Sequence, residues 1–462
     1  MSLKKELGIF TVLQFLFFLV SLLTKSMLLI LLMTVLQLLL QMYFLYKKSD
    51  TIIQLPIIFL VISYIFHISR LLIEVIFNYK DNIQPQYLSW FSFNDVKYSV
   101  LFYMVCTFFY CLGIVIYAFY DKKPHKKIKE NKYLFCSKNM FMLIAIVLLV
   151  IGIIPRMMID INSLIMRING NYLSVYSLDL SGKGGLASLV YTAILMIVYA
   201  VEDRKKANII IFISFFWEII VMFSGMRFDA ISFIIALLYI YFTKEKKIMI
   251  KDLIKYFILL FFILVLINTL RNLRTDAFSI SIFIKTFIEQ ILKNPIIEMF
   301  AEMGSSLLSV ILPYKFVPKN VSYGYGLTYI KTILSLIPKI GNIMDLKEVQ
   351  YMTLMPFNWA VGGSWIGEIY YNFGWIGAIF CGVIGYIVCS IDILIKRVKN
   401  NYFACLFCLP FMTSIIKFVR SYFYLFRLCF IHIIVILFIW LVMTYLLNNE
   451  RTIKIIARLK RQ

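Results

Sequence analysis

In a lipid bilayer a backbone must hydrogen-bond to itself, so a run of about twenty apolar residues that crosses one has to be a helix. This chain carries such runs from end to end: 7–24, 27–46, 52–77, 100–120, 140–154, 187–200, 209–224, 229–242, 254–270, 366–393, 402–418 and 428–447. Only 15% of the residues are charged against 62% hydrophobic, too few to solvate a water-soluble surface of this size. The expectation is an all-α, polytopic transmembrane helix bundle of about twelve spans.

Basic residues orient it, because Lys and Arg in short loops stay cytoplasmic. From Lys4 and Lys5 onward every second connection is basic: Lys47 and Lys48, then 122–132, 204–206, 244–255, 396–399 and the tail 451–461. An even number of spans with both termini cytoplasmic follows. The net charge of +23 is then topology and attraction to membrane lipids, and no nucleic acid is implied. The first apolar run lacks a small-residue cleavage site and is long, so it reads as a span and not a signal peptide. The eight cysteines fall in spans or near the cytoplasmic face, so no disulfide framework is expected, and Cys405 and Cys408 read as packing.

Mass on the other side is unequal. One outer connection covers 156–186 and another 271–363, about ninety residues, a length that is ordinarily functional or disordered. Ile, Leu, Phe and Tyr fill the longer one, which argues against disorder. Helical spacing over 279–302 predicts amphipathic helices on the outer surface, with Lys285, Glu289 and Lys293 as a solvated face. If parts of 296–340 re-enter the membrane as two spans, the count rises to about fourteen.

Cations on that side are not explained by topology: Arg156, Arg167, Lys183, Arg227, Arg271 and Arg274 each sit at or beyond the outer end of a span. Helical periodicity aligns Arg156, Asp160, Ser163 and Arg167 on one stripe. Arg227 lies in the turn SGMRFD beside Asp229, and Arg271 and Arg274 are one helical turn apart. Guanidinium forks gathered at the mouth of a bundle suit a phosphate or pyrophosphate. Acids on the same side are Asp160, Asp229, Asp276, Glu298, Glu302 and Glu368. Glu368 opens a span among Gly and aromatic residues and is suited to act as general base towards a sugar hydroxyl. His67, Arg70 and Glu74 form a polar cluster within the third span, with Arg70 and Glu74 spaced to pair. His432 reads as a satisfied interior histidine. Neither an Asp-x-Asp pair, a metal-spaced cluster, a phosphate-binding Gly loop nor a nucleophile elbow is present, so no metal and no cofactor is expected. The energy of any reaction must arrive with the substrate.

The segment GGSWIGEIYYNFGWIGAIFCGVIGYIV (362–388), preceded by the long outer loop, resembles the closing portion of O-antigen and capsule repeat-unit polymerases of the Wzy type. The segment SGMRFDAISFIIALLYIYF (224–242) is similar to their Gly-x-Arg turn between two spans, and the layout agrees across nearly the whole chain. By position the resemblance carries over Arg227, Gly363, Glu368, Asn372 and Gly374. It implies a glycosyltransferase of the bacterial cytoplasmic membrane that moves a growing glycan from its polyprenyl pyrophosphate onto a new lipid-linked repeat unit at the outer face. Its partners would be that lipid-linked oligosaccharide, membrane lipids, and a chain-length regulator and flippase of the same pathway. Arg156, Arg167, Arg227, Arg271, Arg274 and Asn372 would hold pyrophosphate or glycan, with Glu368, Glu302 or Asp229 as the catalytic carboxylate. The alternatives are a lipid-linked oligosaccharide flippase, which should place its polar residues near the midplane, and an O-antigen ligase-like transferase.

Overall fold

The computed structural model describes residues 3–49, 53–80, 86–120, 136–168, 183–224, 227–243, 279–292, 295–337, 349–357, 361–397 and 402–448, with isolated positions between 244 and 278. Among them the regular structure is helical throughout: α1 (Leu3–Leu23), α2 (Met27–Ser49), α3 (Leu55–Phe77), α4 (Tyr87–Trp90), α5 (Phe93–Tyr120), α6 (Lys138–Ile168), α7 (Lys183–Ala200), α8 (Arg204–Phe223), α9 (Arg227–Thr243), α10 (Ile280–Leu292), α11 (Pro295–Met303), α12 (Leu308–Phe316), α13 (Leu327–Leu334), α14 (Trp365–Phe373), α15 (Phe380–Arg397), α16 (Tyr402–Cys408), α17 (Phe411–Phe418) and α18 (Phe426–Asn448).

Nine helices among the described residues are long and apolar enough to cross a membrane, and Gly184–Ala200 and Tyr402–Phe418 are shorter apolar helices. The expected run 254–270 lies almost wholly outside the described residues, as do both chain termini.

Two elements depart from the hydropathy reading. The long outer connection does not lie on the surface throughout. Its first helix, α10, leaves Ile280, Ile284, Ile288 and Leu292 exposed, as a surface helix should. The stretch Ile296–Phe316 instead enters the bundle and is itself long and apolar enough to span. Gly304 there presses on the backbone of Arg70 in α3, where a Cβ would overlap Arg70 N.

The second departure is the run 366–393, which is broken at Gly374 (φ 58°). A Cβ on Gly377 would meet the carbonyl oxygen of Ile369 at 2.8 Å, a proximity that an unbroken helix eight residues long cannot give. Along α5, Trp365 stands beside Tyr110 and Tyr370 beside Phe102, whereas Trp375 stands beside Phe102 and Tyr386 beside Tyr117. So α14 runs against α5 and α15 runs with it. The helix α14 is a half-length, re-entrant element, and α12 lies parallel to it: Ser309 is at its Ser364 end and Tyr314 at its Tyr370 end.

Helix direction sorts the polar groups. At one end of the bundle Lys47 pairs with Glu6, Lys138 with Glu202, and Lys396 with Asp392, which also caps the start of α3 through Leu55 N at 2.8 Å. Towards the other end, where Lys97 caps α1 through the Leu22 and Thr24 carbonyls, lie Arg70, Arg156, Glu218, Arg227 and Asp229. The two long helices α5 and α15 cross at glycine: a Cβ on Gly113 would overlap the backbone of Gly382, and one on Gly385 that of Tyr110. Neither backbone can retreat without separating the helices, so Gly385→Leu should cost about 1–3 kcal/mol through overpacking. A lower thermal unfolding midpoint in detergent is the expected outcome, and an unchanged midpoint would refute this crossing.

Candidate functional site

Two polar assemblies lie away from the Lys47, Lys138 and Lys396 pairs, one starting near the middle of α3 and α5 and the other at the opposite end. The first is built on α14. Ser364 caps that helix with its side chain, and His67 fixes Ser364, with Nε2 to Oγ at 2.6 Å. His67 Nδ1 lies 2.8 Å from the carbonyl of Ser63, which only accepts, so Nδ1 carries the proton and Nε2 receives the Ser364 hydroxyl. Tyr351 donates from its phenol to the Ser309 carbonyl at 3.0 Å and accepts from Ser364 N at 3.2 Å. Burial pushes the Tyr351 phenol well above its usual pKa, so it stays protonated and keeps that donor role.

One turn into α14 stands Glu368, fully buried. Its Oε2 accepts from the Phe423 backbone N–H at 2.7 Å, while Oε1 has no hydrogen-bond partner among the described residues. Four residues on, Asn372 is completely engaged: Nδ2 donates to Thr328 Oγ1 at 2.9 Å and to the Glu368 carbonyl at 2.8 Å, and Oδ1 accepts from Gly326 N at 2.9 Å. The helix α13, so held, has inverted polarity: Thr328 and Thr332 are buried, whereas Leu327, Ile330 and Ile333 are exposed. A tight approach also fixes Gly363, where a Cβ would strike the Tyr422 ring at 2.7 Å.

Between this assembly and the second lies Arg227, whose Nη1 is 3.6 Å from Glu302 Oε1. Phe228 beside it packs edge-on to Phe66 of α3, and Arg420 covers the same Phe66 ring, so α3, α9 and the end of α17 meet here.

The second assembly joins α6, α7, α8, α9 and α17. Arg156 donates from Nε to Asp160 at 2.7 Å, lies 3.9 Å from Glu218, and covers the Tyr191 ring at 4.5 Å. Trp217 donates to Asp160 at 2.9 Å and Tyr191 to Glu218 at 3.2 Å. Lys417 binds Asp229 at 2.7 Å and also approaches the Tyr191 ring. Among the described residues two cations thus face three carboxylates, a balance unsuited to a bare anion. Arg156 Nη2 and Asp160 Oδ1 are buried without a hydrogen-bond partner among the described residues.

The structure therefore brings Arg227 to Glu302, Arg156 to Asp160, and Asn372 to Glu368, as residues of one end of the bundle. Asp229 is paired with a lysine that sequence reasoning passed over. For Arg167 only the backbone, within α6, is described, and Arg271 and Arg274 lie outside the described residues. The pairing of Arg70 with Glu74, read from spacing, is present at 2.9 Å; with Tyr87 bonded to both Glu74 and Gly304, it is a structural brace. His432 lies between Ser188 and Thr192, satisfied as expected. Sequence reasoning missed Glu218, Lys417, Thr328 and Tyr351. A signal existed for the first two: each is a lone ionisable residue inside an apolar run, which lipid makes costly and therefore informative.

The family model of the O-antigen polysaccharide polymerase Wzy matches residues 7–450. The chain belongs to that family. It is a multi-pass membrane protein, and its membership together with a polytopic helical fold fits an O-antigen repeat-unit polymerase, a glycosyltransferase-like enzyme acting on lipid-linked oligosaccharide; the flippase reading is not favoured. Neither the curated proteins nor the solved structures give a match.

The assembly around Arg156 has a measurable consequence for the folding of this Wzy-family chain. Removing one member of a buried ion pair leaves the other charge stranded, at about 3–5 kcal/mol, while removing both relieves part of that loss. Arg156→Met should therefore destabilise the protein more than Arg156→Met combined with Asp160→Leu, as read from unfolding in detergent. Additive losses would show that the two side chains are not coupled.

Proposed function

We propose that the polymerase joins repeat units at the end of the bundle that carries Glu368, with Glu368 as general base. The acceptor hydroxyl oxygen bonds to the anomeric carbon of the donor glycan. The bond from that carbon to pyrophosphate breaks, and the polyprenyl pyrophosphate leaves with the electron pair. The hydroxyl proton passes to Glu368 Oε1. The observation that carries this reading is the state of that carboxylate: buried, anchored through Oε2 by Phe423 N–H, and without a hydrogen-bond partner at Oε1 among the described residues.

Leaving-group charge needs fixed cations, because preorganised donors aimed at developing charge supply much of the rate. Of the arginines named from the sequence, Arg227 is the best placed, at the junction of α3, α9 and α17. Arg156 is held in a cluster with excess carboxylate, so its role is to support the site. Arg167, Arg271 and Arg274 are proposed from the sequence alone as further contacts for pyrophosphate and glycan. Asn372 acts by holding α13 on α14, and Glu302 by orienting Arg227. Asp229, bound to Lys417, is a weaker candidate base than Glu368. The step as drawn uses side chains alone and calls for no metal.

The same reading places the protein in the bacterial cytoplasmic membrane with about twelve spans and both termini inside. The end carrying Glu368 then faces outward, since the Lys47, Lys138 and Lys396 end carries the basic connections. Upstream, a flippase must deliver lipid-linked units to that face, and a chain-length regulator would act on the product.

Glu368→Gln keeps the volume and the acceptor for Phe423 N–H but cannot take a proton, so polymerisation should fall by about 10²–10⁴-fold. In a strain lacking the native gene, the surface glycan of this variant should consist of single repeat units at normal membrane expression. Arg227→Ala should shorten chains in the same assay. Chains of ordinary length in the Glu368→Gln strain would remove the carboxylate from the mechanism.

A further inference from the structure

Outside the catalytic assembly one residue combines three unusual properties. Tyr325 has a left-handed backbone (φ 47°), a conformation that bulky residues avoid unless their surroundings impose it. Its side chain is 71% exposed, so core packing does not supply the reason. The reason lies in its flanks. Gly324 N donates to the Tyr371 carbonyl at 3.0 Å, Tyr325 N to the Asn372 carbonyl at 3.1 Å, and Gly326 N to Asn372 Oδ1 at 2.9 Å. Three consecutive amides are pinned to the end of the helix that bears Glu368, and the Tyr325 ring is thrust outward by that clamp.

The ring does not stand alone. Tyr323 lies with its centroid 6.1 Å away and its plane turned by 64°, so the two rings form an open corner. On one side of the corner the chain exposes Lys319, Asn320 and Ser322, a surface for water. On the other, α13 exposes Leu327, Ile330 and Ile333, a surface for lipid. A polar surface on one side and an apolar one on the other suit the level where water meets hydrocarbon, at which the first sugars of a lipid-linked glycan must lie.

We propose that Tyr325 and Tyr323 form a stacking platform for a pyranose ring of the lipid-linked glycan. The C–H face of a sugar packs on an aromatic face while its hydroxyls stay at the rim in water, and a ring fixed by its backbone loses little freedom on binding. Because Asn372 holds both the platform and the Glu368 carbonyl, a sugar seated there is in register with α14. This inference rests on the site assigned above to the Glu368 end of the bundle. The competing explanation is an interfacial tyrosine that merely anchors the protein in the headgroup layer.

The test uses the full-length protein in nanodiscs and, as probe, oligosaccharides of one and two repeat units released from the host's own surface polysaccharide. Tyr325→Gly removes the ring and relieves the backbone, so it should accumulate normally. It should bind the oligosaccharides roughly three- to tenfold more weakly, the range expected for one lost aromatic stack, and give shortened surface chains. Tyr325→Phe should retain both binding and chain length. Tyr325→Leu keeps an apolar anchor without a ring and should behave like the glycine variant. Wild-type binding by Tyr325→Gly, or full recovery in Tyr325→Leu, would overturn the platform. Glu368→Gln separates the two readings: it should bind oligosaccharide as wild type does while failing to polymerise. Normal polymerisation by Glu368→Gln with weakened binding by Tyr325→Gly would sink the base and leave the platform standing.

Discussion

A helix that stops inside a membrane bundle must find partners for the backbone groups it leaves open, since no bulk water is there to take them. The half-length helix Trp365–Phe373 meets that demand at both ends. At its start the Ser364 side chain, held by His67, accepts from the Gly367 amide, while Tyr351 holds the Ser364 backbone N–H. At its finish the Tyr371 and Asn372 carbonyls accept from Gly324 and Tyr325. Everything characteristic of this end of the bundle follows: the buried position of Glu368, the capture of the segment 324–328, and the reversal at Gly374.

The paired charges around Arg156 follow the same logic in side-chain form. Five helices contribute to one cluster whose members cannot be solvated individually, so each charge specifies its neighbour. Such an arrangement contributes little net stability compared with apolar packing, but it strongly disfavours any alternative register of α6, α8, α9 and α17. That matters where the groups proposed to act together, Arg227 and Glu368, come from elements far apart in sequence.

Much of this was legible in the residues themselves. Hydropathy located the long helices, because burying unbroken apolar runs in lipid leaves few options, and spacing by four located Arg70 with Glu74 and Arg156 with Asp160. Two features were less legible. A break at Gly374 inside 366–393 has the same composition as a packing glycine such as Gly385, and only the position of Ile369 against Gly377 distinguishes them. Entry of Ile296–Phe316 into the bundle was legible only as an alternative left open, because its apolar face suits a membrane surface and a helix interface equally well. Reading the arginines as a set also obscured their differences: Arg156 is faced by Asp160 on its own helix and by Glu218 from another, and the second of these no spacing along the chain reveals.

The inverted polarity of α13 bears on how this family can be dissected. A soluble domain hides its isoleucines and displays its threonines, whereas α13 does the reverse. Its Thr328 hydroxyl is held by Asn372 of α14, and its apolar face suits the surrounding lipid. The long late connection is thus no appendage that can be cut out, expressed in water or exchanged between relatives on its own. Any chimera that transfers the stretch around Tyr325 must also transfer the helix that ends in Asn372.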